Sequence, residues 1–159
     1  VKEYAHHLAH DAAWTAKAQR VSDATLDLSE ILADETAALV PLLEAAAKSK
    51  ARRKLAYHSP CSLQHGQQIR GKAEALLTAA GFDLTPVADG HLCCGSAGTY
   101  SLLQPELSQQ LLANKVKALS AGEPEGIATA NIGCLTHIQS GATMPVRHWI
   151  EWVDDVLAR

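Results

Sequence analysis

Apolar residues recur at three- and four-residue spacing over most of this chain, and a few short apolar runs interrupt that rhythm. The helical period opens at the start: residues 1–22 read as helix in two pieces, with Leu8, Trp14 and Val21 among the apolar contacts. Residues 23–33 predict a second amphipathic helix, with Leu28, Ile31 and Leu32 on one side and Asp23 as its cap. Residues 35–48 keep a helical composition, but Pro41 lacks an N–H and is expected to break, kink or restart the helix.

From Lys54 the texture changes. Leu55-Ala56-Tyr57-His58 predicts a short strand, ended by Ser59-Pro60 and followed by Cys61. Ile69, Ala73, Leu76, Leu77 and Ala80 then repeat at helical spacing, with Gly81 placed to end the helix. Leu84 to Val87 is a second strand, assigned to a sheet edge because it carries Pro86. Leu107, Leu111, Leu112, Val116 and Leu119 mark a helix with Pro105 near its start and Gly122 beyond its end. Residues 127–131 predict a buried strand leading into Gly133-Cys134 and another helix, Met144 to Arg147 a fourth strand, and Trp149 to Leu157 a closing helix.

Strand and helix in alternation predict an α/β fold: a small, mostly parallel sheet of three or four strands with helices on both faces, preceded by an N-terminal helical segment. Residues 1–50 read as a helical lead-in and 51–159 as a cysteine-rich α/β domain. A chain of 159 residues with 47% hydrophobic content suffices for one ordinary core. Beginning at Val1, it reads as a fragment or processed piece.

Charge removes several classes of function. The formal net charge is −3 and the lysines and arginines are dispersed apart from a run at Lys48 to Lys54, so no basic, aromatic-studded face for nucleic acid is expected. No apolar run is long enough to cross a bilayer. His6 and His10 stand at i, i+4, but no acidic or cysteine partner lies at ligand spacing, and a solvated helix end accounts for them.

The chemistry concentrates in four cysteines. Cys93 and Cys94 are adjacent, and a disulfide between neighbours strains the peptide bond between them. Gly95 and Gly98 make the loop pliable around two soft ligands. Cys61 follows the first predicted strand, Cys93 and Cys94 the second, and Cys134 the third. Right-handed crossovers bring the carboxyl ends of parallel strands out on one side, so three cysteine-bearing loops are expected to meet there. Packing alone gives no reason for thiols at three successive strand ends.

Spacing leaves two metal readings open. The only short pair with zinc-like spacing is Cys134-Leu135-Thr136-His137, which allows a Cys₄ or Cys₃His zinc site. Four thiolates spread over three loops equally suit an iron–sulfur cluster. His137 is the histidine considered as a ligand; His58, His65 and His91 read as ordinary hydrogen-bonded loop histidines. A catalytic thiol ranks lower for want of a nucleophile elbow or a Cys–His–Asn signature, and a phosphate loop for want of its lysine.

Pro60-Cys61-Ser62-Leu63-Gln64-His65-Gly66, Leu92-Cys93-Cys94-Gly95-Ser96-Ala97-Gly98-Thr99-Tyr100 and Ala130-Asn131-Ile132-Gly133-Cys134 together closely resemble the iron–sulfur subunits of glycolate oxidase, in their C-terminal cysteine-rich domain of the type called CCG. The closing Val146-Arg147-His148-Trp149-Ile150-Glu151 and the helical lead-in fit as well. The resemblance implies a non-catalytic electron-transfer subunit of an oxidoreductase, relaying electrons from a flavin (FAD) subunit that oxidises glycolate to glyoxylate toward a membrane quinone. It implies a cytoplasmic location with peripheral membrane association, and a missing N-terminal ferredoxin-like region. It also implies an iron–sulfur cluster, of 4Fe-4S type, on Cys61, Cys93, Cys94 and Cys134. Related domains end in Cys-x-x-Cys, whereas this chain has His137 at the last position, so His137 stands beside the site or replaces one ligand.

Overall fold

A computed structural model describes residues 1–158. They divide into two compact units, the first spanning Val1–Glu35 and the second beginning at Thr36. The first unit holds α1 (Tyr4–His7), α2 (Thr15–Ala24) and α3 (Leu28–Asp34). The expected two-piece opening helix is present, but the cap of the next helix lies four residues later than Asp23. Asp23 sits inside α2, where it accepts a hydrogen bond from Gln19 Nε2 at 2.7 Å. Asp27 caps α3 instead: its Oδ1 accepts from the Ser29 N–H at 2.9 Å, and Glu30 Oε2 accepts in return from the Asp27 N–H at 2.8 Å.

In the second unit, α4 (Thr36–Ala47) continues past Pro41 rather than ending there. Proline removes one backbone bond, and the helix tolerates the loss because the fully buried Leu43 ties its later turns into the core. Four strands follow: β1 (Arg53–His58), β2 (Phe82–Thr85), β3 (Gly126–Thr129) and β4 (Val146–His148). All pair in parallel, in the order β2-β1-β3-β4, so β2 is an edge strand as expected, but it runs two residues earlier than predicted and Pro86 falls beyond its end. Between them stand α5 (Lys72–Ala79), α6 (Tyr100–Leu103), α7 (Pro105–Ser120) and α8 (Ile132–Gly141), and α9 (Trp149–Leu157) closes the chain. Gly81 follows α5 with φ +87°, the left-handed conformation expected of a residue just past a helix end.

Helices α4, α5 and α9 pack together on one face, where Trp149 and Trp152 are fully buried. Helices α7 and α8 pack on the other, around Ala56, Ile127, Leu112, Leu119, Ile138 and Val146. The chain leaves β1 toward β2 and returns to β3 on the opposite side of β1, so the strand order reverses between β1 and β3. Ligands of open α/β sheets bind outside the carboxyl ends of the strands at such a reversal. In this molecule those ends are His58 and Thr129, which lie side by side in register. Among the described residues, no helix is long and apolar enough to cross a membrane.

Candidate metal centre

Each cysteine is placed by a distinct local device. Beyond β1, the carbonyl of buried Pro60 accepts from the N–H groups of Leu63 and Gln64 at 3.0 and 2.9 Å, and starts a single π-helical turn over Ser62–Gly66. This turn leaves Cys61 exposed at its head. His65 Nε2 reaches the His91 carbonyl oxygen at 3.1 Å and joins this loop to the next one.

The loop after β2 carries the doublet. Cys93 is half-buried and its sulfur accepts from the Gly95 N–H at 3.3 Å. Cys94 is buried, with 1% of its surface exposed. Helix α7 holds this loop at two points: Ser108 Oγ donates to the Gly95 carbonyl at 2.8 Å, and Lys115 Nζ donates to the carbonyls of Asp89 and Gly90 at 2.9 and 3.4 Å.

Beyond β3, Asn131 caps α8, and its Oδ1 accepts from the Cys134 N–H at 3.1 Å. Cys134 therefore sits in the first turn of a ten-residue helix, buried beside Cys94. Alternation along β1 and β3 turns His58 and Thr129 to the same face as Ala56 and Ile127, which is the face holding both thiols. The ligating atoms of His58, Cys94 and Cys134 all lie within 4.8 Å of one another.

Electrostatics bind the four thiols into one cluster. The Cys134 thiol donates to the Cys94 sulfur and pulls Cys94 down to about 4 against the opposing effect of burial, with the His58 ring and the Ser96 N–H adding to the pull. The same hydrogen bond pushes Cys134 up, so the pair shares one proton. Burial pushes Cys93 up, the Gly95 N–H works against it, and the charges of Cys94 and Cys61 add to the rise. Lys115 is itself lowered by burial, while the negative charge of Cys94, Asp89, Cys93 and Cys134 acts to keep it charged. A buried cation thus faces the thiols from α7.

Of the predicted cysteines, Cys94 and Cys134 come together outside the strand ends; Cys61 and Cys93 interact with them electrostatically but stand outside the three-ligand group. His137 lies beyond the three-ligand group; its Nε2 is 3.2 Å from Ser108 Oγ, on the far side of the Gly95 backbone. His65 fulfils the expectation of a hydrogen-bonded loop histidine. His58 does not. It belongs to a strand, is only 2% exposed, and its ring nitrogens have no nitrogen or oxygen partner, the Cys94 sulfur being the group they sit against. The available signal was its position as the last residue of an apolar run, three before Cys61.

Leaving a buried donor or acceptor unpaired costs about 1–3 kcal/mol, and Thr129 Oγ1 beside His58 is unpaired too. These orphaned atoms, two buried thiols sharing one proton and soft sulfur donors from three loops all fit a thiophilic metal or an iron–sulfur cluster.

A parallel α/β sheet with thiols gathered outside its reversal point defines a cysteine-rich metal- or cluster-binding domain. In keeping with this, residues 55–139 match the CCG cysteine-rich domain, and the chain belongs to that family. It is 49% identical over 159 residues to the glycolate oxidase iron-sulfur subunit of Escherichia coli (strain K12), which covers 100% of this chain and 37% of that protein. Lactate utilization protein A of Anoxybacillus flavithermus is 30% identical over 141 residues, covering 86% of this chain and 56% of the relative. Its counterpart in Bacillus licheniformis is 29% identical over the same share of each chain. The chain thus spans between about a third and three fifths of the length of these relatives.

Proposed function

We propose that this chain is an iron–sulfur electron-transfer domain of a 2-hydroxy-acid oxidase, with glycolate as the substrate of the complex and a flavin (FAD) subunit as the electron donor. The observation that carries the reading is the buried Cys94–Cys134 pair at the sheet's reversal point, its sulfurs within 4.8 Å of each other and of the His58 ring. Cys61, Cys93, Cys94 and Cys134 would hold the cluster, of 4Fe-4S type. When bound, such a cluster supplies reversible one-electron capacity.

The chain's own residues prepare that site. Cys94 is held well below the ordinary thiol range, while Cys134 and Cys93, both pushed up, must give up their protons when the site is loaded. The Gly95 N–H stabilises charge on the Cys93 sulfur, and Lys115 sets a buried positive charge against a site that turns more negative on reduction. Burial of Cys94 and Cys134 keeps water from half of the donor set. The domain would act as a non-catalytic subunit: no substrate-oxidising machinery is assigned to it. The glycolate oxidase and lactate utilization names of its relatives support a 2-hydroxy acid as the substrate of the complex. Residues 1–50 would serve as the lead-in to a domain over 51–159. The complex would work on the cytoplasmic side, peripheral to the membrane, joined to a ferredoxin-like region.

One observation favours a second reading, a structural zinc site: ligand atoms within 4.8 Å of one another suit a single tetrahedral ion, whose sulfur ligands at ~2.3 Å stand ~3.8 Å apart. Mixing the anaerobically loaded full chain with a reduced flavin separates the two. An electron-transfer domain bleaches in the visible region as its cluster accepts an electron. A colourless chain that accepts none supports zinc and overturns the redox reading.

A further inference from the structure

Of the eight histidines, His58 is the one that is buried among the described residues. His65 is committed to the His91 carbonyl and His137 pairs with Ser108. The His148 ring accepts from the Ile150 N–H at the start of α9. His58 has no nitrogen or oxygen partner in its buried position, and the group it faces is the Cys94 sulfur.

We propose that His58 is a direct ligand of the metal centre, giving a mixed sulfur and imidazole donor set with Cys94 and Cys134. This assignment rests on the proposed function and refines it, replacing an all-thiolate site with one that includes a nitrogen. Three facts carry it: the ligating atoms lie within 4.8 Å, the ring is buried with neither nitrogen paired to a nitrogen or oxygen, and β1 supplies a rigid support. Pairing with Thr129 on β3 fixes the register of His58, so the ring is held at the thiols by the sheet and not by a mobile loop. Neutral imidazole in place of thiolate makes the centre less negative and raises its potential, as nitrogen ligation does in other iron–sulfur proteins. His137, in Cys134-Leu135-Thr136-His137, is by contrast a positioning residue: through Ser108 it holds the Gly95 turn.

The full chain, labelled with ¹⁵N-histidine and loaded anaerobically with iron and sulfide, provides the test by pulsed EPR of its paramagnetic state. A strong coupling from one directly bonded nitrogen is expected in the wild type. It should vanish in His58→Cys with iron content retained and a lower midpoint potential, and persist in His137→Gln. An iron-loaded wild type without that coupling overturns the assignment whatever the variants do, as does a coupling that survives His58→Cys. Failure to take up iron overturns the proposed function itself. In a chain that takes zinc alone, the d–d bands of the Co²⁺-substituted protein still decide on His58, since loss of a nitrogen donor shifts them and an unchanged spectrum in His58→Cys overturns the assignment.

Discussion

Ser108 Oγ donates to the carbonyl oxygen of Gly95 at 2.8 Å, and a side chain at Gly95 would place its Cβ 2.4 Å from the Ser108 carbonyl oxygen. The contact joins α7 to the backbone immediately after the cysteine doublet, and no room remains between the two. Gly95 also has φ +97°, a region that residues with a Cβ avoid. Gly95→Ala should therefore cost about 3 kcal/mol or more, combining backbone strain with a backbone clash. Chemical denaturation measures the loss, and metal uptake should fall with it because Cys93 and Cys94 lose their setting. A variant as stable as the wild type would contradict the tight packing described here.

Asn131 caps α8 through the Cys134 N–H, so a single side chain both starts the helix and orients a thiol. Asn131→Ala should lower stability by about 1 kcal/mol, the usual cost of a lost cap, and should speed metal loss to a chelator. Asn131→Asp restores the acceptor, and denaturation and chelator kinetics should return toward wild-type values.

Thiol reactivity should follow exposure more than acidity. Cys61 is exposed, Cys93 is half-buried with its thiol pushed up by burial, and Cys94 and Cys134 are buried. In the reduced, metal-free chain, iodoacetamide should modify Cys61 first and Cys93 more slowly. Cys94 should lag at least tenfold behind Cys61 despite its low pKa, because the reagent cannot reach it. Mass spectrometry of the time course checks the order, and loading with metal should protect all four.

Arg147 supplies the pH dependence. Its guanidinium donates to Asp155 from Nη1 at 2.5 Å and from Nη2 at 3.3 Å, holding the Asp155 carboxyl below its usual range. A carboxylate lowered in the folded state stabilises above its unfolded pKa of about 3.9 and loses that contribution as pH falls through the folded value. The pair is exposed to solvent and contributes under about 1 kcal/mol. Asp155→Asn should lie below the wild type in thermal stability at pH 7, and the gap should close as pH drops below about 3. An equal gap at both pH values would contradict the ion pair.

Much of this architecture was readable from spacing. Leu107 to Leu119 gave α7 and Trp149 to Leu157 gave α9, because long periodic runs carry strong local signals; Leu84 to Val87 marks β2 two residues late, with Pro86 beyond its true end. The juxtaposition of Cys94 and Cys134 followed from parallel topology alone. Pro41 does not end α4, because tertiary packing of that helix through Leu43 outweighs the local preference of one residue. The π-helical turn after Cys61 and the short α6 had no periodic signature. His58 was misjudged for a different reason. A histidine at the end of a short strand, just before Ser59-Pro60, passes for an ordinary hydrogen-bonded residue, and only the pairing of β1 with β3 shows its ring carried inward against the thiols.

The most direct measurement is the iron and acid-labile sulfide content of the full chain purified anaerobically, beside that of its Cys94→Ser and Cys134→Ser variants. The account predicts iron and sulfide in equal number in the wild type, and loss of most of both in either variant. Stoichiometric zinc without sulfide in the wild type, or undiminished iron in both variants, would contradict it.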